Sequence, residues 1–131
     1  MMALDNGYIP IIATVGTDEK GQVYNVNADT AAAAIAGALK AKKLITMTDV
    51  TGLLKEKDNE ESLISSVNIS EIPELIEKQI IVGGMVPKVE SCVEAIKQGV
   101  KEAIIIDGRI EHSILIELFS NDGIGTLFHK N

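Results

Sequence analysis

The stretch "NVNADTAAAAIAGALKAKKLITMTD" (residues 25–49) reads as the end of a strand, a helix and a second strand. "QVYNVN" (residues 22–27) alternates around β-branched and aromatic residues and predicts a strand. From Ala28 to Ala41 the residues are strong helix formers with small side chains. "KLITMTD" (Lys43 to Asp49) is apolar and β-branched, and predicts another strand. Upstream, "YIPIIATVG" (Tyr8 to Gly16) predicts a buried strand that pairs with "QVYNVN" across the turn Thr17–Gly21. The opening "MMAL" has the character of an apolar helix tail, and Asp5-Asn6-Gly7 stops it.

The alternation continues downstream. "KEKDNEES" (residues 55–62) is a solvated loop. Ser70 to Gln79 predicts a helix with Ser70 as N-cap and Pro73 near its first turn. "IIVGGMVP" (residues 80–87) predicts a loop, and "PKVESCVEAIKQG" an amphipathic helix from Pro87 to Gly99. "EAIIID" predicts a strand, "EHSILIELFSN" a well-buried helix, and "GTLFH" a last short strand. Helices alternating with apolar strands imply an α/β fold, with a mostly parallel sheet covered on both faces. No internal repeat or linker divides residues 1–131, so one domain is expected.

Composition narrows the function. Hydrophobic residues make up 46% of the 131, and with no Trp and two Phe the core is aliphatic. The net charge of -7 argues against nucleic acid and against an anionic membrane, because phosphates are bound chiefly by Lys and Arg. A single cysteine, Cys92, excludes an internal disulfide framework and fits a reducing cytoplasm. No apolar run approaches membrane-spanning length, and the N-terminus lacks a basic leader region.

In sheets of this kind ligands sit outside the carboxyl ends of the strands, where helices begin. Asn25, Asn27 and Asp29 stand at every second position just where the alanine helix starts. Asn25 and Asn27 share a strand face, and the helix adds free N–H groups and a positive dipole end. Asn27 or Asp29 also suits a plain N-cap. "TMTDVTG" puts Asp49 after an apolar strand and lets Gly52 turn the backbone, which suits either an ordinary turn or a nucleotide loop. "GGMVPKVE" sets Lys88 in the first turn of a helix, where a cation opposes the dipole unless an anion binds. Solvation on the surface is the alternative for Lys88. Glu117, amid the apolar "HSILIELF", calls for a cationic partner. Cys92 reads as packing. The two His and one Cys have no metal-site spacing.

Taken together, "YNVNADTAAAAIAGALKAKKLITMTDVTGLL", "GGMVPKVESCVEAIKQGV" and "IIDGRIEHSILIELFSNDGIGTLF" resemble the acetylglutamate kinases of the amino-acid kinase family, in unbroken order along the whole chain. The resemblance implies the three-layer, carbamate kinase-like fold and transfer of the ATP γ-phosphoryl to the side-chain carboxylate of N-acetyl-L-glutamate, in arginine biosynthesis. By resemblance, Asn25 and Asn27 hold the acceptor, Asp29 organises the catalytic lysines, and Lys88 stabilises the migrating phosphoryl group. Thr48, Asp49, Val50, Thr51, Gly52, Leu53, Leu54, Ile80, Ile81, Val82, Gly84 and Met85 match the nucleotide contacts. Mg²⁺ on the phosphates is implied, with no dedicated protein cage. His112, Glu117 and Gly123 match an arginine effector site. A homo-oligomer is implied for the complete enzyme.

The family pattern also includes a Gly-flanked lysine on an earlier strand and a "GGG" substrate loop. Neither is found in this sequence. The expectation is therefore the C-terminal, nucleotide-binding half of such a kinase, with little activity alone. The alternatives are a kinase for an aminoadipate derivative or for carbamate, or a non-catalytic module that binds arginine or nucleotide.

Overall fold

The computed structural model describes residues 2–121 and 123–130. A short helix α1 (Met2–Asp5) ends at the turn before Gly7, as expected for the described part of "MMAL". A hairpin follows, with β1 (Val15–Thr17) antiparallel to β2 (Val23–Asn25). Asp18 closes its turn by accepting from the backbone N–H groups of Lys20 and Gln22.

The expected buried strand from Tyr8 to Gly16 is a correction. Residues 8–13 carry no regular structure, and Ile9 and Ile11 are 90% and 97% exposed. β-branched apolar side chains favour a strand only where a partner strand and a covering layer receive them.

The alanine run forms α2 (Ala28–Leu39), and Lys40 ends it in the left-handed conformation. It leads into β3 (Lys43–Thr48), then to a loop with a 3-10 turn at Glu60–Ser62, and to β4 (Ser66–Asn68). The sequence reading missed β4, whose three residues are too few to show a period. Asn68 opens the next segment through a capping box with Glu71, and α3 (Ile72–Glu77) follows directly. The expected cap at Ser70 is thereby corrected: Asn68 precedes it and takes its N–H at 2.9 Å. α4 (Met85–Lys97) begins two residues before the expected Pro87, which sits in its first turn without cost because those N–H groups have no helical partner. β5 (Glu102–Asp107), α5 (Ser113–Phe119) and β6 (Thr126–His129) complete the chain.

Four strands form one sheet in the order β3-β5-β6-β4. β3 runs parallel to β5 and β4 parallel to β6, while β5 and β6 are antiparallel. The mostly parallel α/β sheet is thus as expected. Leu44, Ala103, Ile105 and Phe128 face α2 and α4, and pack with Ala33, Ala36, Val89, Cys92 and Ile96. Ile104 and Ile106, buried on the opposite face, lie on the side of Met47 and α5.

That outer helix is the second correction. Only Ser113 of α5 is buried, and Leu115 and Phe119 are 54% and 81% exposed. Apolar residues all around a helix imply burial only where layers exist on every side of it.

Candidate active site

Two helix starts converge. Asn27 caps α2, its Oδ1 accepting from the N–H of Thr30 at 3.0 Å. Within the first turn, Asp29 Oδ2 meets Lys88 Nζ of α4 at 3.4 Å, with each side chain about a quarter exposed. The alanines make this meeting possible. α2 and α4 pack directly against each other, and the nearly buried Ala33 presents only a methyl at the contact. Below the pair lies Cys92, one helical turn after Lys88 and fully buried. Burial pushes the thiol up to about 12, Asp29's charge adds to that, and the hydrogen bond to Thr46 and the charge of Lys88 oppose it. Cys92 is therefore a neutral packing group, as read from the sequence.

The structure brings Asp29 and Lys88 together across 59 residues of sequence. Asn25 ends β2 on the exposed hairpin, two residues before the cap. Asn27 has a cap to serve and also lines a groove between α2 and α4 with Thr30, Pro87 and Ser91. The alternating row that singled these residues out ends at the cap, because a helix begins there.

The expected nucleotide residues gather at the carboxyl end of β3. Val50, Thr51, Gly52, Leu53, Leu54, Ile80, Val82 and Met85 line one cavity of about 310 Å³. Sequence reasoning missed its polar rim of Lys55, Lys57, Asp58, Lys78 and Gln79. In sequence, Lys55 to Asp58 looked like part of a solvated loop, and only folding carries that loop over to the end of α3. Ile81 is 1% exposed, so its side chain belongs to the core rather than to the cavity. Gly84 is the residue before α4, and Thr48 donates to Asp49 at 3.2 Å. Gly52 has φ near +146, and a Cβ there would stand 2.6 Å from Thr126 Oγ1 and 2.9 Å from Leu63 Cδ1. Only glycine fits both the backbone and the space. The loop is held from below by Thr126, whose buried hydroxyl donates to Ile64 O and accepts from Leu53 N–H.

Beside this loop, β5 ends in Asp107, which is buried and grips Arg109. The Arg109 backbone N–H, Nε and Nη2 all donate to its carboxylate, at 2.8, 3.0 and 2.7 Å. These bonds hold the Asp107 carboxyl below its ordinary range. Gly108 N–H donates to Thr48 O at 2.8 Å, tying the two strand ends together.

Of the expected effector residues, two meet. Glu117 Oε2 accepts the Ile124 N–H at 2.8 Å, and the carboxylate lies against Gly123, whose φ is +59. The cationic partner expected for Glu117 is thus replaced by a backbone donor. His112, left-handed with φ +60 at the start of α5, stands 3.4 Å from Glu111 instead. Among the described residues, no three His, Cys, Asp or Glu side chains gather as a metal site would require.

The description of the matching family model is the amino acid kinase family, over residues 1–107. The chain is 58% identical over 128 residues to an acetylglutamate kinase of Brachyspira hyodysenteriae, covering 98% of this chain and 44% of that protein. The chain therefore spans less than half the length of that relative. Among solved structures it is similar to N-acetylglutamate synthase from Neisseria gonorrhoeae complexed with coenzyme A and N-acetyl-glutamate. There the TM-score is 0.86 at 29% identity, over 99% of this chain and 30% of that one. Giardia carbamate kinase shares the fold at a TM-score of 0.68 and 23% identity, over 99% of this chain and 46% of that one.

Proposed function

This chain belongs to the amino acid kinase family, and from that premise we propose that it is the nucleotide-binding half of an acetylglutamate kinase. In this reading it takes part in moving the γ-phosphoryl of ATP to the side-chain carboxylate of N-acetyl-L-glutamate. The observation that carries it is the gathering of eight expected nucleotide residues around one cavity, with Lys88, on the helix that begins at that cavity's Met85, paired to Asp29 of α2.

The base and ribose occupy the cavity between the Val50–Leu54 loop and the Ile80–Met85 segment. The phosphates then run past Gly84 toward the start of α4, where N–H groups without helical partners and the Lys88 ammonium receive them. Asp29 holds Lys88 extended toward that position. Asn25 and Asn27 lie on the acceptor side. A carboxylate oxygen of the acceptor attacks the γ-phosphorus, the bond to the β-phosphate's bridging oxygen breaks, and ADP leaves. Both reactants are anions, so catalysis rests on positioning and charge neutralisation. Mg²⁺ would be carried by phosphate oxygens and supply further neutralisation.

His112, Glu117 and Gly123 form the basis of arginine control in the same proposal. The proposal also includes a cytoplasmic location and a homo-oligomeric complete enzyme. Calorimetry of Mg–ATP with the chain, Lys88→Ala and Asp49→Ala tests the reading. Saturable binding weakened by both substitutions is expected, together with turnover far below that of a complete relative. A folded chain that binds no nucleotide would overturn the assignment of the cavity. Turnover equal to a complete relative would overturn the idea of a half.

A further inference from the structure

Resting on that reading, we propose that Gln79 is the specificity-determining residue of the cavity, its carboxamide reading the N6/N7 edge of adenine and rejecting guanine. The floor of the cavity cannot make that choice. Leu54, Ile80, Val82 and Met85 offer apolar surface to the faces of a base, and adenine and guanine present much the same faces. The two purines differ at the edge. Adenine sets the N6 amino donor beside the N7 acceptor, whereas guanine sets two acceptors, O6 and N7, in the same places. A selective reader therefore needs a donor and an acceptor on neighbouring atoms. Among the described lining residues, Gln79 alone carries that pair. Lys55, Lys57 and Lys78 only donate, Asp58 as a carboxylate only accepts, and Thr51 has a single hydroxyl.

The backbone at Gln79 supports the same role. α3 ends in a Schellman motif: the Gln79 N–H donates to Ile76 O at 3.0 Å and the Ile80 N–H to Leu75 O at 2.9 Å. The motif puts the residue after the cap in the left-handed region, and Gln79 has φ of +57. Glycine takes that conformation freely, while any side chain there costs free energy. Lys40 closes α2 in the same way, so the bend by itself assigns no role. What sets Gln79 apart is its place on the cavity, directly before Ile80. Two hydrogen bonds pin the backbone on either side of its Cα. Its exposed carboxamide bonds to no other described residue, so the donor and the acceptor are both available to a ligand.

The test measures binding of Mg–ATP, Mg–GTP and Mg–7-deaza-ATP, in which a C–H replaces N7, to the chain, Gln79→Gly and Gln79→Arg. The parent should bind ATP about tenfold tighter than GTP, as one bidentate base contact implies, and 7-deaza-ATP should be weakened likewise. Gln79→Gly should bind all three alike. Its urea midpoint should rise, because glycine relieves the left-handed backbone, so the lost selectivity cannot come from a damaged fold. Gln79→Arg, whose guanidinium donates twice to guanine O6 and N7, should prefer GTP. Its extra charge acts on both triphosphates equally and cancels in their ratio. A parent that binds ATP and GTP alike, or a parent ratio retained in Gln79→Gly, would overturn the role of Gln79 while leaving the nucleotide cavity standing. So would 7-deaza-ATP bound as tightly as ATP. A folded parent that binds none of the three would overturn the cavity assignment and the role of Gln79 with it.

Discussion

Gly52 and Thr126 show how much of the candidate site hangs on single atoms. The Thr126 hydroxyl is the joint between the Val50–Leu54 loop and the segment before β4, and it sits where a Cβ on residue 52 would have to go. Gly52→Ala is expected to destabilise the fold by about 2 kcal/mol, seen as a lower urea midpoint with unchanged slope. Thr126→Val keeps the shape and removes both hydrogen bonds, leaving the Leu53 N–H unpaired in a buried position. Its expected cost is about 1 to 3 kcal/mol in the same measurement. Asp107 gives a pH signature. Its carboxyl is held low by the hydrogen bonds and charge of Arg109, so the stability it contributes is present above pH 3.8 and is lost as pH falls through the folded value. Arg109→Ala should flatten the acid limb of the stability curve. An acid limb that matches the parent's would show that the pair is inert.

α2 and α4 meet through small residues, and the site depends on that closeness. Ala33 is 2% exposed at the contact, so Ala33→Leu should push the helices apart. The expected cost is about 1 to 3 kcal/mol, with weakened Mg–ATP binding because Lys88 no longer reaches Asp29. Beneath them, Cys92 reports on the integrity of the same layer. Its thiol has been raised from 9.0 to about 12, so the neutral form stabilises the fold below pH 9, and that contribution fades as pH climbs toward 12. A thiol reagent at pH 8 should leave the folded chain unlabelled and label it fully in denaturant. Rapid labelling under native conditions would mean that α4 opens. α2, β3, α4 and β5 could all be read from the sequence because each carries a period or a cap that needs no distant partner. The last helix and the run from Tyr8 misled, because their apolar residues announce burial without saying against what.

On the whole molecule, Tyr8, Ile9, Ile11, Val15, Val23 and Tyr24 are exposed near the hairpin, and a groove runs from Pro10 and Ile12 to Ile35 and Leu39 of α2. Exposed apolar surface of this extent drives association. Sedimentation of the isolated chain should therefore show concentration-dependent self-association that Ile9→Lys with Ile11→Lys suppresses. Equal association in that variant would place the contact elsewhere. The sequence by itself determined the α/β alternation, the aliphatic core, the start of α2 and the residue types placed at the strand ends, since these follow from local periodicity and chain chemistry. Only the tertiary structure decided that Asp29 meets Lys88, that the 50s loop and the end of α3 share one cavity with a lysine rim, and that Glu117 serves the Ile124 N–H. Those contacts join segments far apart in the chain or bent by left-handed turns, and no local pattern encodes a distance between them.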